Sequence, residues 1–390
     1  MITLFISLQI QIPSPSTPMS ALPKIYRKLS VAKLTPNFRE ATKITEHEIN
    51  FANLKNQQNA IIKPKYVGIN ASDINFTSGK YYPGKKPPFP VGFEAVGEVV
   101  HLEKNTNTNS NKKDLEIGQP VAYCFDGAFS ELHEVPISRC YPIKSLDPEY
   151  AALLVSGMTA KLALDELGEM EKFKDKNRQN ILVTASAGGT GHLFAQLAKM
   201  ANNNPDKNFV MGTTSSPEKA NWLLNQKIVD HAINIREVSI KNELKNLKLQ
   251  EKLDLCYESV GKELFDDCFL NLNLKGRLIT LGYIEGYKDK NLKSSINISK
   301  FGANIPVRLL MKSASVRGFF LFHWADQWEK AFNELCEMYE DGSLNVCIDG
   351  GYNVEQEDSK VIKFQGLEQV ADAVDYLYTR KSVGKIIAEL

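Results

Sequence analysis

Apolar positions along this chain fall into two regimes. Between Val31 and Pro142 they form short runs, among them 60–62 and 96–102, broken by glycine and proline, a pattern that predicts a strand-rich region. From about Gly157 the pattern alternates between strand and helix. Residues 181–184 read as a buried strand, and Leu193, Phe194, Leu197 and Ala198 fall on one face of a helix over 189–201. Further apolar strands are predicted at 209–213, 231–235, 253–258, 278–282 and 315–319. Such alternation predicts a parallel sheet with helices on both faces. After Gly318 the pattern is mixed again, and the closing run 384–390 predicts a strand that rejoins the first region.

The expected organisation is a loose tail over 1–21, a β-rich region over 22–156, a dinucleotide-binding region over 157–305, and a return over 306–390 that supplies the last parallel strands and then re-enters the first region. A chain of 390 residues exceeds a comfortable single core, which fits two domains. The polar stretch 105–113 has no apolar face and is expected to be a solvated loop. The apolar run over 1–12 lacks a basic front and is too short to span a bilayer.

Charge narrows the choice of partner. With 47 basic against 46 acidic residues, no bulk charge draws the chain to nucleic acid or to an anionic membrane, so a small molecule is the expected partner. The six cysteines are scattered, without the short spacings of a zinc knuckle or redox pair, and read as reduced thiols of a cytosolic protein.

Candidate chemistry starts at Ser186-Ala187-Gly188-Gly189-Thr190-Gly191, which lies between a predicted strand and a predicted helix, the context of a dinucleotide fingerprint. Gly188 would let the backbone approach a pyrophosphate, and Gly191 would let helix and strand pack closely. The helix N-terminus would favour the phosphates. Ser186 stands where the standard pattern has its first glycine. At the end of the next strand an acid would accept ribose hydroxyls, but the chain reads Ser215-Ser216-Pro217-Glu218-Lys219 there. Ser216 is a candidate N-cap with Pro217 at the first helical position. The two hydroxyls and the Lys219 ammonium suit a 2′-phosphate, so NADPH is the expected cofactor.

The segments 68–75, 91–98, 156–160 and 384–386, taken with the glycine turn, resemble the medium-chain dehydrogenase/reductase superfamily, and 257–261, 275–279 and 312–321 resemble its prostaglandin reductase group. The resemblance covers roughly 29–390. It implies an α/β fold in which a Rossmann-type parallel-sheet cofactor domain is inserted into a GroES-like β-rich catalytic domain. Zinc-dependent relatives carry Cys at the position of Asn70 and His at that of Phe93. Neither an amide nor a benzene ring is a zinc ligand of that kind, so no metal is expected.

The implied activity is hydride addition from NADPH to a carbon–carbon double bond conjugated to a carbonyl, as in reduction of 15-oxo-prostaglandins or other enones. Charge then gathers on the carbonyl oxygen, and a hydrogen-bond donor there is the main protein contribution. Tyr287 is the first candidate, since it follows a predicted strand end and matches a substrate-contacting tyrosine of prostaglandin reductases. Tyr81 is the rival, at the position of the proton donor in enoyl-thioester reductases. Asn70 and Asp73 would shape the nicotinamide pocket or cap a turn, and Thr159 would lie near the nicotinamide or open a helix. Gly282 and Tyr283 are placed against the cofactor, and Phe93 and Phe89, residues more often core than substrate wall, are assigned no role. Quinone reduction, enoyl-thioester reduction and a crystallin-like NADPH-binding role without turnover are the alternatives. The resemblance further implies a homodimer.

Overall fold

The computed structural model describes residues 22–49, 58–102, 115–175, 178–201, 208–249, 252–288, 305–352 and 361–390. The tail over 1–21 and the polar stretch 105–113 lie outside them. The strands form three sheets. In a small antiparallel sheet, β1 (Ile25–Val31) pairs with β2 (Thr42–Glu48) and with β4 (Phe89–Pro90).

The largest sheet is built mainly from the first region. Its antiparallel centre is β3 (Asn59–Gly68), β5 (Glu94–Leu102), β6 (Pro120–Cys124) and β8 (Cys140–Pro142), and β7 (His133–Pro136) pairs with the start of β3.

The six-stranded sheet is wholly parallel, in the order β11-β10-β9-β12-β13-β14: β9 is Gln179–Val183, β10 Asn208–Thr214, β11 His231–Asn234, β12 Leu253–Glu258, β13 Leu272–Thr280 and β14 Ser315–Gly318. Every residue of β9 and β12 is buried, as strands covered by helices on both faces must be. The strand order reverses between β9 and β12, and such a switch point opens a crevice at the carboxyl ends of the strands. β13 starts at Leu272, six positions before the predicted 278. Its first half carries an exposed Leu274, Lys275 at φ 59° and a register shift against β12, which hide it from an apolar-run reading.

The closing run forms β16 (Lys385–Glu389), which lies antiparallel to β3 and parallel to β15 (Ile348–Asp349), so the chain end joins the largest sheet. β16 also meets the parallel-sheet region. The Gly384 N–H donates to the Ala187 carbonyl at 2.8 Å, and the Cys347 N–H donates to His192 Nε2 at 3.2 Å. His192 Nδ1 lies 2.9 Å from the Gly188 carbonyl, so the ring is the neutral Nδ1–H tautomer, donating there and accepting from Cys347. Burial holds its pKa down to about 4.

Candidate active site

One cleft of about 540 Å³ runs along the carboxyl ends of the parallel strands and the facing edge of the large sheet. At its centre is the turn between β9 and the helix Gly189–Met200. Ala185 holds φ at 46°, a left-handed value uncommon for alanine, and its carbonyl accepts the Gly188 N–H at 2.9 Å. A Cβ on Gly191 would stand 2.5 Å from the Ala185 oxygen, so glycine is what lets this helix start against the turn. A Cβ on Gly188 would meet only that same oxygen, at 3.2 Å, leaving its outer face bare toward the cleft. Thr190 lines the cleft within hydrogen-bonding reach of the buried Tyr257 hydroxyl.

The serine at the first glycine position does not face the cleft. Its hydroxyl is buried and donates to the Thr213 carbonyl at 3.0 Å, and a Cβ on Gly212 would strike it at 2.4 Å. Ser186 is therefore a tie between β10 and the turn.

After β10 the helix Pro217–Asn225 opens as the sequence indicates: Ser216 is the N-cap, accepting the Lys219 N–H at 3.3 Å, with Pro217 at the first position. Ser216 is thereby occupied, while Ser215 and Lys219 line the cleft. Lys219 is half-buried, and desolvation, helped by the repulsion of Arg236, lowers its pKa to about 8 despite the opposing charge of Asp349. Lys219 and Ser215, with the charge of Arg236 near enough to repel Lys219, make this end of the cleft suited to an anion. Arg236 was not legible as part of it, because it arrives from the end of the neighbouring strand β11.

At the other end, the loop after β3 brings Asn70 into the cleft, in contact with a charge network. Lys385 Nζ stands 2.5 Å from Glu94 Oε1, 2.7 Å from Asn70 Oδ1 and 3.3 Å from Ser156 Oγ. Glu94 accepts the Asn70 amide at 2.7 Å through Oε1 and the Val155 N–H at 2.7 Å through Oε2. Lys385 and Glu94 are both buried. Their segments were recognisable as motifs, but nothing in the sequence paired them. Gly68 leaves room for the carboxylate, since a Cβ there would lie 2.3 Å from Glu94 Oε1.

Asp73 lies beneath the cleft and does not line it. It is buried, accepts the Asn70 backbone N–H at 2.9 Å through Oδ2, and leaves Oδ1 without a partner; burial pushes its pKa up to about 7. The turn-capping alternative for Asp73 is thus present in the geometry. Thr159 lines the cleft one residue inside the helix Met158–Leu167, whose N-cap is Gly157.

Tyr81 and Tyr287, the two rival tyrosines, meet. Both line the cleft, and their hydroxyls are hydrogen-bonding neighbours. The Tyr287 oxygen accepts the Tyr283 N–H at 3.1 Å, which is how Tyr283 serves the site; its ring packs against Gly261 and Gly286 and does not line the cleft. Gly282 does line it, with a virtual Cβ 3.1 Å from the Tyr287 hydroxyl. Burial raises the pKa of both phenols, but the Asn75 amide and the Tyr287 hydroxyl pull Tyr81 back, whereas Tyr81 raises Tyr287 further.

Aromatic rings close this end. Tyr81 stands edge-on to Phe76 at 5.1 Å and to Phe320 at 5.2 Å, and Phe319, Phe320 and Phe322 line the cleft. Phe93 is buried among Phe76, Phe322 and Trp328, and Phe89 is buried in the neighbouring core. Among the described residues, no group of three or more His, Cys, Asp or Glu side chains stands where it could hold a metal. Asn70 is committed to an ammonium and a carboxylate, and Phe93 to other rings.

This chain matches the family model described as alcohol dehydrogenase GroES-like domain over residues 56–162 and the one described as zinc-binding dehydrogenase over 189–337. It is 42% identical to prostaglandin reductase-3 of Mus musculus, covering 95% of this chain and 91% of that one. Identity to a probable quinone oxidoreductase of Leishmania amazonensis is 34%, covering 94% and 99%. Among solved structures, Escherichia coli quinone oxidoreductase complexed with NADPH shares the fold with a TM-score of 0.71 and 22% identity, over 93% of this chain and 100% of that one. The α/β architecture, a GroES-like part with a Rossmann-type parallel sheet, and the extent of these matches place the chain in the medium-chain dehydrogenase/reductase family.

Proposed function

We propose that this chain is an NADPH-dependent, zinc-independent reductase of carbon–carbon double bonds conjugated to a carbonyl. The observation that carries the reading is the layout of the cleft: a glycine turn and an anion pocket at one end, and a phenol among aromatic rings at the other. The names of the relatives, prostaglandin reductase-3 and quinone oxidoreductase, and of a fold neighbour complexed with NADPH support it.

The residues fit the cofactor. Ala187, Gly188, Gly189 and Thr190 present main chain free of bulky side chains at a helix N-terminus, where a pyrophosphate is favoured. Ser215 and Lys219 line the cleft and, with the nearby charge of Arg236, suit a 2′-phosphate, and Asn70, Thr159 and Gly282 line the cleft where they would meet the nicotinamide. When bound, NADPH supplies the hydride. The protein supplies orientation, exclusion of water by the Phe319, Phe320 and Phe322 wall, and a donor at the oxygen where charge develops.

Tyr81 is that donor. Tyr81 lines the cleft, and the neighbouring Asn75 and Tyr287 side chains hold its pKa back against burial, which favours the phenolate that donation leaves behind. Tyr287 acts through Tyr81, its own oxygen being held by the Tyr283 N–H.

The test is NADPH consumption by the intact protein with an enone, an enoyl thioester and a quinone in parallel. The enone should be the best substrate; tight NADPH binding with turnover of none would reject the proposal in favour of a binding role. Faster turnover of the quinone would favour the activity named for the Leishmania relative.

A homodimeric, cytosolic protein completes the proposal. None of the six cysteines is in a disulfide, which suits a reducing compartment, and no helix among the described residues is long and apolar enough to cross a membrane. The helix Ile305–Lys312 leads into edge strand β14 and exposes Val307, Leu310 and Met311, a surface a second copy could cover. Sedimentation at micromolar concentration checks this.

A further inference from the structure

Asn70 is held from both sides by opposite charges. Its carbonyl oxygen accepts from Lys385 at 2.7 Å, and one of its amide protons goes to Glu94 at 2.7 Å. The reverse orientation would set an NH₂ against an ammonium and a carbonyl against a carboxylate, which is repulsive on both sides, so a single amide orientation survives. Lys385 has three protons, and Glu94, Asn70 and Ser156 take them. Glu94 Oε2 is held by the Val155 N–H. Nothing in this arrangement consumes the second amide proton of Asn70, and Asn70 lines the cleft.

A buried ion pair is weak evidence for stability, since hydrophobic residues of similar volume often serve as well. What the pair does supply is direction. We propose that Glu94 and Lys385 are positioning residues that lock the Asn70 carboxamide so that its second N–H is a fixed donor to a carbonyl oxygen bound in the cleft, either that of the unsaturated substrate or that of the nicotinamide carboxamide. The proposal rests on the reductase reading above. It adds that the reacting end carries two donors, the Tyr81 hydroxyl and the Asn70 amide, and that the second is aimed from below by charges the ligand never touches. Lys385 also drains electron density from the Asn70 carbonyl, which strengthens the opposite N–H as a donor.

A double-mutant cycle tests this, because a residue acting through Asn70 loses its influence once Asn70 is gone. The arms are Asn70→Ala, the neutralised pair Glu94→Gln with Lys385→Met, and the triple variant. Each is measured for kcat and KM with an acyclic enone, for NADPH Kd by fluorescence and for Tm. The two charges are removed together because a single buried charge left unpaired costs several kcal/mol of folding. Asn70→Ala is expected to lower kcat roughly a hundredfold, as loss of one preorganised donor does. The neutral pair should lose about the same, and the triple variant no more than Asn70→Ala alone. A triple loss equal to the product of the other two would overturn the proposal, since the pair would then act independently of Asn70.

The kcat and Kd readings separate the two carbonyls. A fall in kcat at unchanged NADPH Kd assigns the donor to the substrate, and a weakened NADPH Kd assigns it to the cofactor. If the neutral pair shows no cooperative melt, Asn70→Asp decides: the carboxylate keeps Lys385 as partner but has no N–H, so it should lose as much as Asn70→Ala, and near-native activity and NADPH Kd would overturn the idea. A parent protein that reduces no enone would instead sink the reductase reading, and the cycle would still be read on NADPH Kd and Tm.

Discussion

The Tyr287 oxygen accepts the Tyr283 N–H at 3.1 Å, and Tyr287 lines the cleft beside Tyr81. Two tyrosines that compete for one role in the sequence are thus neighbours in the fold, and Tyr287 is anchored by a main-chain N–H.

Tyr81→Phe removes the proton that reaches the ligand and should lower kcat roughly a hundredfold, the usual scale for a positioned donor. Tyr287→Phe removes only the backing hydrogen bond and should cost about tenfold or less. The double variant should match Tyr81→Phe alone. Steady-state kinetics on the three variants checks this, and a larger loss for Tyr287→Phe would reverse the assignment.

Lys219 gives the cofactor preference a pH signature. With its pKa lowered to about 8, it is charged below that value and neutral above, so in the free protein the attraction for a 2′-phosphate is present at low pH and lost as pH rises through 8. KM for NADPH should rise between pH 7.5 and 9.5, whereas KM for NADH should stay level. Lys219→Ala should raise KM for NADPH far more than for NADH and flatten its pH dependence. Arg236→Ala, which removes a repelling charge, should move the rise to higher pH.

His192 predicts acid sensitivity. Its folded pKa of about 4 lies below the ordinary 6.5, so the unfolded chain binds the proton first. Its penalty is absent above pH 6.5, grows as pH falls from 6.5 to 4, and reaches about 3 kcal/mol below that. Urea midpoints for the wild type and His192→Gln at pH 7, 5.5 and 4 should converge or cross, with the wild type losing more of its stability on acidification.

Gly191→Ala places a methyl 2.5 Å from a backbone oxygen that cannot swing aside, and should cost about 1–3 kcal/mol with a lower Tm. Gly188→Ala meets only a 3.2 Å contact, so its Tm should stay near that of the wild type while NADPH Kd weakens. Thermal melts with and without NADPH separate the two effects.

Much of this was legible in the chain. The parallel strands, the glycine turn and the Ser216 cap are local features, set by apolar runs, turn chemistry and capping within a few residues. The return of the last strand was also readable, because an apolar run at the chain end needs a sheet to join. Arg236, the Phe320 and Phe322 wall and the Lys385 network were not, because they depend on partners that topology brings together. Asn70 and Lys385 are 315 positions apart, and no periodicity links them. Ser186 shows the converse: its place in the motif suggested a ligand contact, but its short side chain fits the gap beside Gly212 and turns inward.

The bonds from Gly384 to Ala187 and from Cys347 to His192 have a consequence for how acceptors are sorted. They tie the dinucleotide shelf to the residues that lead into β16 and β15, so opening the groove along that seam has to break both bonds. A bulkier acceptor must then be accommodated by rotation of individual rings, chiefly Phe320, which is partly exposed at the rim. Trimming the Phe320 ring should then widen the range of accepted molecules while leaving NADPH Kd unchanged.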